Sequence, residues 1–142
     1  MEQYQFYTSN NLAWCTNENV GVELKKQLAL HGFRCFELSA TNIVDASSFV
    51  RELVTHLPCD PDYYEFHDEQ EVNWAAVEDS LFGGLTQEES NVAIFWYFAE
   101  RLIEQYLNLI FQSIDILFSI ARSRNFAIKI FFVGKGPNFD PW

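Results

Sequence analysis

The consecutive residues Val92, Ala93, Ile94, Phe95, Trp96, Tyr97 and Phe98 carry no charge and almost no polar atoms. A strand of that composition has no face to offer water. It calls for cover on both sides, as a central strand of a parallel sheet receives, whereas a half-exposed antiparallel strand would alternate apolar with polar. Parallel neighbours in turn need long crossovers, usually helices. The rest of the chain should therefore alternate strands with helices.

It does. After the run, Leu102, Tyr106, Leu109, Ile110, Ile114, Leu117, Phe118 and Ala121 recur at helical spacing, which predicts one helix over 101–122. Residues 126–133 read as a strand, with Ile128, Ile130 and Phe132 on one face and Ala127, Phe131 and Val133 on the other. Upstream, 33–38 reads as a buried strand. Asp45 is placed to cap a helix whose face is Phe49, Leu53 and Leu57, with Val50 and Val54 beside it, and Pro58 ends that helix. Near the start, 4–8 reads as a short aromatic strand and 19–31 as a helix with Val20, Leu24, Leu28 and Ala29 in its stripe and Gly32 as its stop. The expected fold is α/β, with three core strands and a fourth from the N-terminal segment.

Between the helix ended by Pro58 and the apolar strand, the pattern loses its period. Residues 59–71 are polar and acidic and carry Tyr63, Tyr64 and Phe66. Asn73 can cap a short helix over 73–81, in which Trp74, Val77 and Leu81 share one face. Asp79 lies roughly 100–200° away from those residues and should be exposed. Gly83 and Gly84 are expected to break this helix.

Charge is concentrated in the same region. The formal net charge is −11, from 20 acidic and 9 basic residues. Between Arg51 and Arg101 there is no lysine or arginine, while Asp60, Asp62, Glu65, Asp68, Glu69, Glu71, Glu78, Asp79, Glu88 and Glu89 lie there. Such a field attracts and steers cationic partners. It is the opposite of the basic footprint of a nucleic-acid binder, so direct nucleic-acid binding is not expected. With 49% hydrophobic residues, 14 of the 142 residues being phenylalanine, one core can form without disulfide or metal. Cys15, Cys35 and Cys59 form no closely spaced pair and read as free thiols of a reducing compartment. No leader-like or membrane-length apolar segment is seen, and the expected location is the cytoplasm.

Catalytic patterns are missing from the sequence. Glu78 and Asp79 are adjacent on a helix, where neighbouring side chains diverge, so they make a poor acid–base pair. His31, His56 and His67 have no local nucleophile, Cys15 has no identifiable base, and the Gly134–Gly136 segment lacks a phosphate-binding loop's full glycine pattern. The chain is expected to be a binder with no cofactor and no metal, and not an enzyme.

The run Asn73, Trp74, Ala75, Ala76, Val77, Glu78, Asp79, Ser80, Leu81 resembles the short inhibitory helix of the barstar family, intracellular inhibitors of bacterial ribonucleases. The resemblance spans 35–134. It takes in Phe36 and Leu38 in a first strand, Asp45 through Phe49 to Leu53 in the next helix, the apolar strand ending near Trp96, and the final helix and strand. It implies a barstar-like domain over 35–134, a small parallel sheet with helices packed against it. Residues 1–34 would be an extension that adds a strand and helix to the same domain, and 135–142 a tail.

The resemblance also implies a function, that of an immunity protein whose acidic loop and helix mask the active site of a basic toxin nuclease domain. Asp79 matches the family's principal inhibitory aspartate, and Asn73 the asparagine that opens the helix. The expected partner-binding set is Asp79, Glu78, Glu71, Tyr64, Phe66, Asp68, Glu69, Asn73 and Gly84. The chain also departs from the pattern. Ala75 stands where a second interface aspartate is expected, Glu78 where a tryptophan precedes the key aspartate, and Gly84 or Leu85 near an interface tryptophan. Ile120 and Arg124 stand where the last helix should be acidic. The alternative reading is a regulatory module that binds a non-nuclease partner through the same scaffold.

Overall fold

A computed structural model describes residues 10–140. The chain forms a mixed α/β fold around one four-stranded, wholly parallel sheet. Its elements run β1 (Leu12–Asn17), α1 (Glu18–Leu30), β2 (Arg34–Ser39), α2 (Ala46–His56), a 3-10 turn (Tyr63–Glu65), α3 (Trp74–Leu85), β3 (Val92–Tyr97), α4 (Glu100–Gln105), α5 (Leu107–Arg124), β4 (Ile128–Gly134) and a second 3-10 turn (Pro137–Phe139). The strand order is β1-β4-β3-β2. In register, Phe95 of β3 lies beside Phe131 of β4 on one side and Glu37 of β2 on the other.

The central position of β3 is what its composition demands. Val92, Ile94 and Trp96 enter a large core with α2, α3, α4 and α5, while Ala93 and Phe95 enter a smaller one with Leu24 and Leu28 of α1. Phe49 stacks on Trp96 in the large core at 5.3 Å between ring centroids, and Phe95 on Phe131 in the small one at 5.0 Å. Trp14 packs, partly buried, against the small cluster. So does Val20, whereas Ala29, placed in the same stripe by the sequence, faces water.

The expected strand at 4–8 lies outside the described residues. Within the described residues a strand forms at Leu12–Asn17, just before α1, and pairs with β4 from Leu12 beside Lys129 to Asn17 beside Gly134. Asn17 ends it by turning its side chain to the Val20 amide and capping α1. Asp45 caps α2 as expected. Its carboxylate accepts the Ser48 amide while the Ser48 hydroxyl accepts the Asp45 amide, a reciprocal capping box. The Ser48 amide, and after it the Ser48 and Ser47 hydroxyls, donate to the Asp45 carboxylate and hold its pKa below the ordinary value.

Two expected boundaries are corrected. The helix expected over 101–122 is two, interrupted at Tyr106, whose amide closes α4 onto the Leu102 carbonyl and whose own carbonyl accepts the Leu109 and Ile110 amides of α5. The apolar spacing continues in phase across the break, so periodicity conceals it. The second correction is at Gly83 and Gly84, which do not stop α3. They lie inside it, because a Cβ at Gly83 would sit 1.8 Å from the Asp60 carbonyl oxygen and one at Gly84 2.1 Å from that of Pro58. Glycine here permits close approach of two backbones.

Lys129 is the one charged residue on β4, and it is fully excluded from solvent on the α1 side of the sheet. Its Nζ donates to the Asn10 carbonyl and lies 5.8 Å from the centre of the Phe33 ring. Burial pushes its pKa down from the ordinary 10.5 to about 8. Among the described residues, no helix is long and apolar enough to cross a membrane.

Candidate functional site

The acidic segment is built on Tyr63. Asp62 caps the 3-10 turn by accepting the Tyr64 amide at 3.1 Å, and this turns Tyr63 inward until it is 1% exposed. A buried phenol needs partners, and this one has two. Its hydroxyl donates to the Glu71 carbonyl at 3.0 Å and accepts the Asn73 amide at 3.0 Å. The His67 ring stacks on it at 4.8 Å, and the Tyr64 ring meets it edge-on at 5.1 Å. The loop between Glu65 and Asn73 is therefore fastened at both ends to one side chain.

The next step is the start of α3. Asn73, with its amide bound to Tyr63, turns its own side chain to accept the Ala76 amide at 3.1 Å. Val77, Leu81 and Leu85 are fully buried along one face of α3, and Asp79 is carried to the exposed side. From the other end, Asp60 donates its amide to the Ser80 carbonyl at 2.9 Å and accepts the Gln87 side chain at 2.7 Å. Helix and loop thus form one fastened unit.

The carboxylates divide into two groups. Glu69 lies 3.8 Å from Arg51, and Glu71 lies 3.3 Å from the His67 ring nitrogen. Arg51 also stands beside the Tyr64 hydroxyl, whose pKa burial raises. Among the described residues, the carboxylates of Glu65, Asp68, Glu78, Asp79, Glu88 and Glu89 make no ion pair and accept no hydrogen bond. The uncompensated charge therefore lies on the loop, on α3 and on the segment that follows α3.

Of the residues named from the sequence, Asp79, Asp68, Glu69, Glu71, Asn73 and Phe66 are exposed, with Phe66 at 71%, while Glu78 and Tyr64 are half-buried. Gly84 is buried against the Pro58–Cys59 backbone and offers no surface to a partner. Ile120 is likewise in the core, and Arg124 is exposed with its guanidinium over the Phe82 ring.

Chemistry is sparse elsewhere. Cys15, Cys35 and Cys59 are free thiols, and burial raises the pKa of all three, that of Cys59 to about 12 with a further push from Asp62. They are poor thiolate nucleophiles. Among the described residues, no group of three or more His, Cys, Asp or Glu could hold a metal ion.

Sequence reasoning missed a second cluster. Glu37, Leu38, Ser39, Glu52, His56, Tyr97 and Phe98 line an open cavity of about 380 Å³ near the carboxyl ends of β2 and β3. Glu52 accepts the Ser39 amide at 2.9 Å and lies 3.0 Å from the His56 ring nitrogen, the i,i+4 spacing being the one signal the sequence offered. Phe98 is 56% exposed with φ of 57°, a left-handed backbone that costs a bulky residue about 1–3 kcal/mol. Compared with known proteins, no family model matches this chain, and no curated sequence matches it.

Proposed function

We propose that the chain is a cytoplasmic immunity protein that binds a basic toxin nuclease domain stoichiometrically and masks its active site, without catalysis of its own. The observation that carries this reading is Asp79, an exposed carboxylate with no partner among the described residues, standing on a helix fastened to an acidic loop. A ribonuclease site is cationic because it must hold phosphate. An anchored carboxylate presented with few freedoms to lose can occupy such a position at low entropic cost. The barstar resemblance adds the role of Asp79, and the element order from β2 to β4, strand, helix, helix, strand, two helices, strand, supports it. Charge on Asp68 and Glu69 of the loop and on Glu78 of α3 supplies steering, and Phe66 an apolar contact at the rim.

Binding of the purified protein to the toxin domain encoded beside its gene, with RNA cleavage followed in the same samples, tests the reading. Equimolar binding with loss of cleavage is the expected result. Active toxin that neither binds nor loses activity would reject it.

The burial of Gly84 and Ile120 favours the second reading, a regulatory module for another cationic protein, because both positions are closed to a barstar-type contact. Co-purification with a non-nuclease partner, without any toxin, would select it.

A further inference from the structure

We infer that the open edge of β2 is a second binding site, one that takes an extended segment of a partner protein and seats an arginine of that segment in the cavity beside Glu52. β2 is the last strand of the sheet. The Arg34 amide donates to Asn91 and the Ala40 amide to Tyr97, both toward β3. By the alternation of a strand, the amides and carbonyls of Cys35, Glu37 and Ser39 point away from the sheet. Ser39 is met by the Glu52 carboxylate at 2.9 Å, and among the described residues Cys35 and Glu37 are left open for a further strand.

The cavity at the end of that edge has the chemistry of a guanidinium site. Glu52 is largely shielded, with its side chain 17% exposed, and uses Oε2 for both Ser39 and His56, so Oε1 remains to accept. Phe98 and Tyr97, both aromatic, line the same cavity, and a guanidinium stacks on an aromatic ring better than an ammonium does. Glu37 also lines the cavity, while its carboxylate pairs with Lys25. A free small cation would use the cavity alone, whereas the open backbone edge beside it selects a peptide. The residues involved are separate from the acidic loop and α3, so the site stands or falls independently of toxin binding.

The test is a ¹⁵N-resolved NMR titration of the full chain with the capped peptide acetyl-Thr-Val-Arg-Val-Thr-amide, with its Arg→Gln version and with acetyl-arginine amide. Saturable shifts at the Cys35, Glu37 and Phe98 amides are expected, with at least tenfold weaker binding for the Gln peptide and for the single residue. Glu52→Gln, which keeps an acceptor for Ser39, should weaken the arginine peptide about tenfold. Phe98→Gly, which suits the left-handed backbone, should also weaken it. No shifts at these amides, equal binding of the Gln peptide, or unchanged affinity in both variants would overturn the proposal. So would concentration-dependent broadening of Cys35 and Glu37 without peptide, which would assign the edge to a second copy of the chain.

Discussion

The Tyr63 hydroxyl donates to the carbonyl of Glu71 at 3.0 Å, and so ties the far end of the acidic loop to a side chain in the core. The same oxygen accepts the Asn73 amide, which sets the first residue of the cap of α3. One atom therefore couples the loop's shape to the helix that carries Asp79.

Tyr63→Phe removes both bonds while keeping the ring in the core. Leaving the Glu71 carbonyl and Asn73 amide without this partner should cost about 1–3 kcal/mol, read as a lower urea midpoint with unchanged slope. Hydrogen exchange adds a local reading, in which the Asn73 amide should exchange faster while the β3 amides keep their protection relative to global stability. Unchanged Asn73 exchange would mean that the hydroxyl does not hold the loop.

Glycine gives a sharper contrast. Alanine is a better helix former than glycine by about 1 kcal/mol, so propensity alone predicts stabilisation at any of three helical glycines. At Gly83 and Gly84 the added Cβ would fall 1.8 Å and 2.1 Å from carbonyl oxygens of the 58–60 backbone, which cannot rotate away as a side chain can. Gly83→Ala and Gly84→Ala should each destabilise by about 1–3 kcal/mol net. Gly21→Ala in α1 meets Val133 at an ordinary 3.5 Å and should be neutral or stabilising by up to about 1 kcal/mol. Thermal melts of the three variants check the order.

Those glycines also mark where sequence stops being informative. Punctuation is legible where its cause is local and the element it bounds is recognised, as at Asp45, at Asn73 and before Pro58. The apolar run at β3 was legible because burial on both faces leaves no polar position. Gly83 and Gly84 were misread because their reason, the 58–60 backbone, lies more than twenty residues upstream. Tyr63 and Phe66 are both aromatics of the same loop, and nothing in their sequence neighbourhood separates the buried anchor from the exposed ring. The cavity at Glu52 was missed because it joins β2, α2 and the end of β3, which only the sheet brings together.

Lys129 makes a prediction about pH. Its folded pKa is depressed from 10.5 to about 8, so between those values the unfolded chain binds the proton that the folded chain has released. The unfolded state then holds more protons, and this group's contribution to stability rises with pH across that window. Below pH 8 both states are charged and the burial cost is fully present. The raised pKa values of Cys15, Cys35 and Cys59 act in the opposite sense, because stability from a neutral buried thiol is lost as pH climbs above 9. The two are separated by comparing the protein with Lys129→Met. The stability gap in favour of the variant should be widest below pH 8 and should narrow steadily toward pH 10. A constant gap would mean that the Lys129 ammonium is not held in a site that disfavours its charge.

Asp79→Ala tests the partner-binding surface most directly, and its two readouts should separate. The side chain is exposed and unpaired among the described residues, so its loss should change folding stability by less than about 0.5 kcal/mol. If Asp79 enters a cationic site, the variant leaves the partner's Arg or Lys without its carboxylate, and binding should weaken by about 2 kcal/mol or more. Glu88→Ala, on another carboxylate that makes no ion pair among the described residues, serves as the control for general charge, with a change confined mainly to association rate and salt dependence. Dissociation rates at two salt concentrations distinguish the cases. An Asp79 variant that dissociates no faster than Glu88→Ala would reduce Asp79 to part of the steering field and remove it as the anchor.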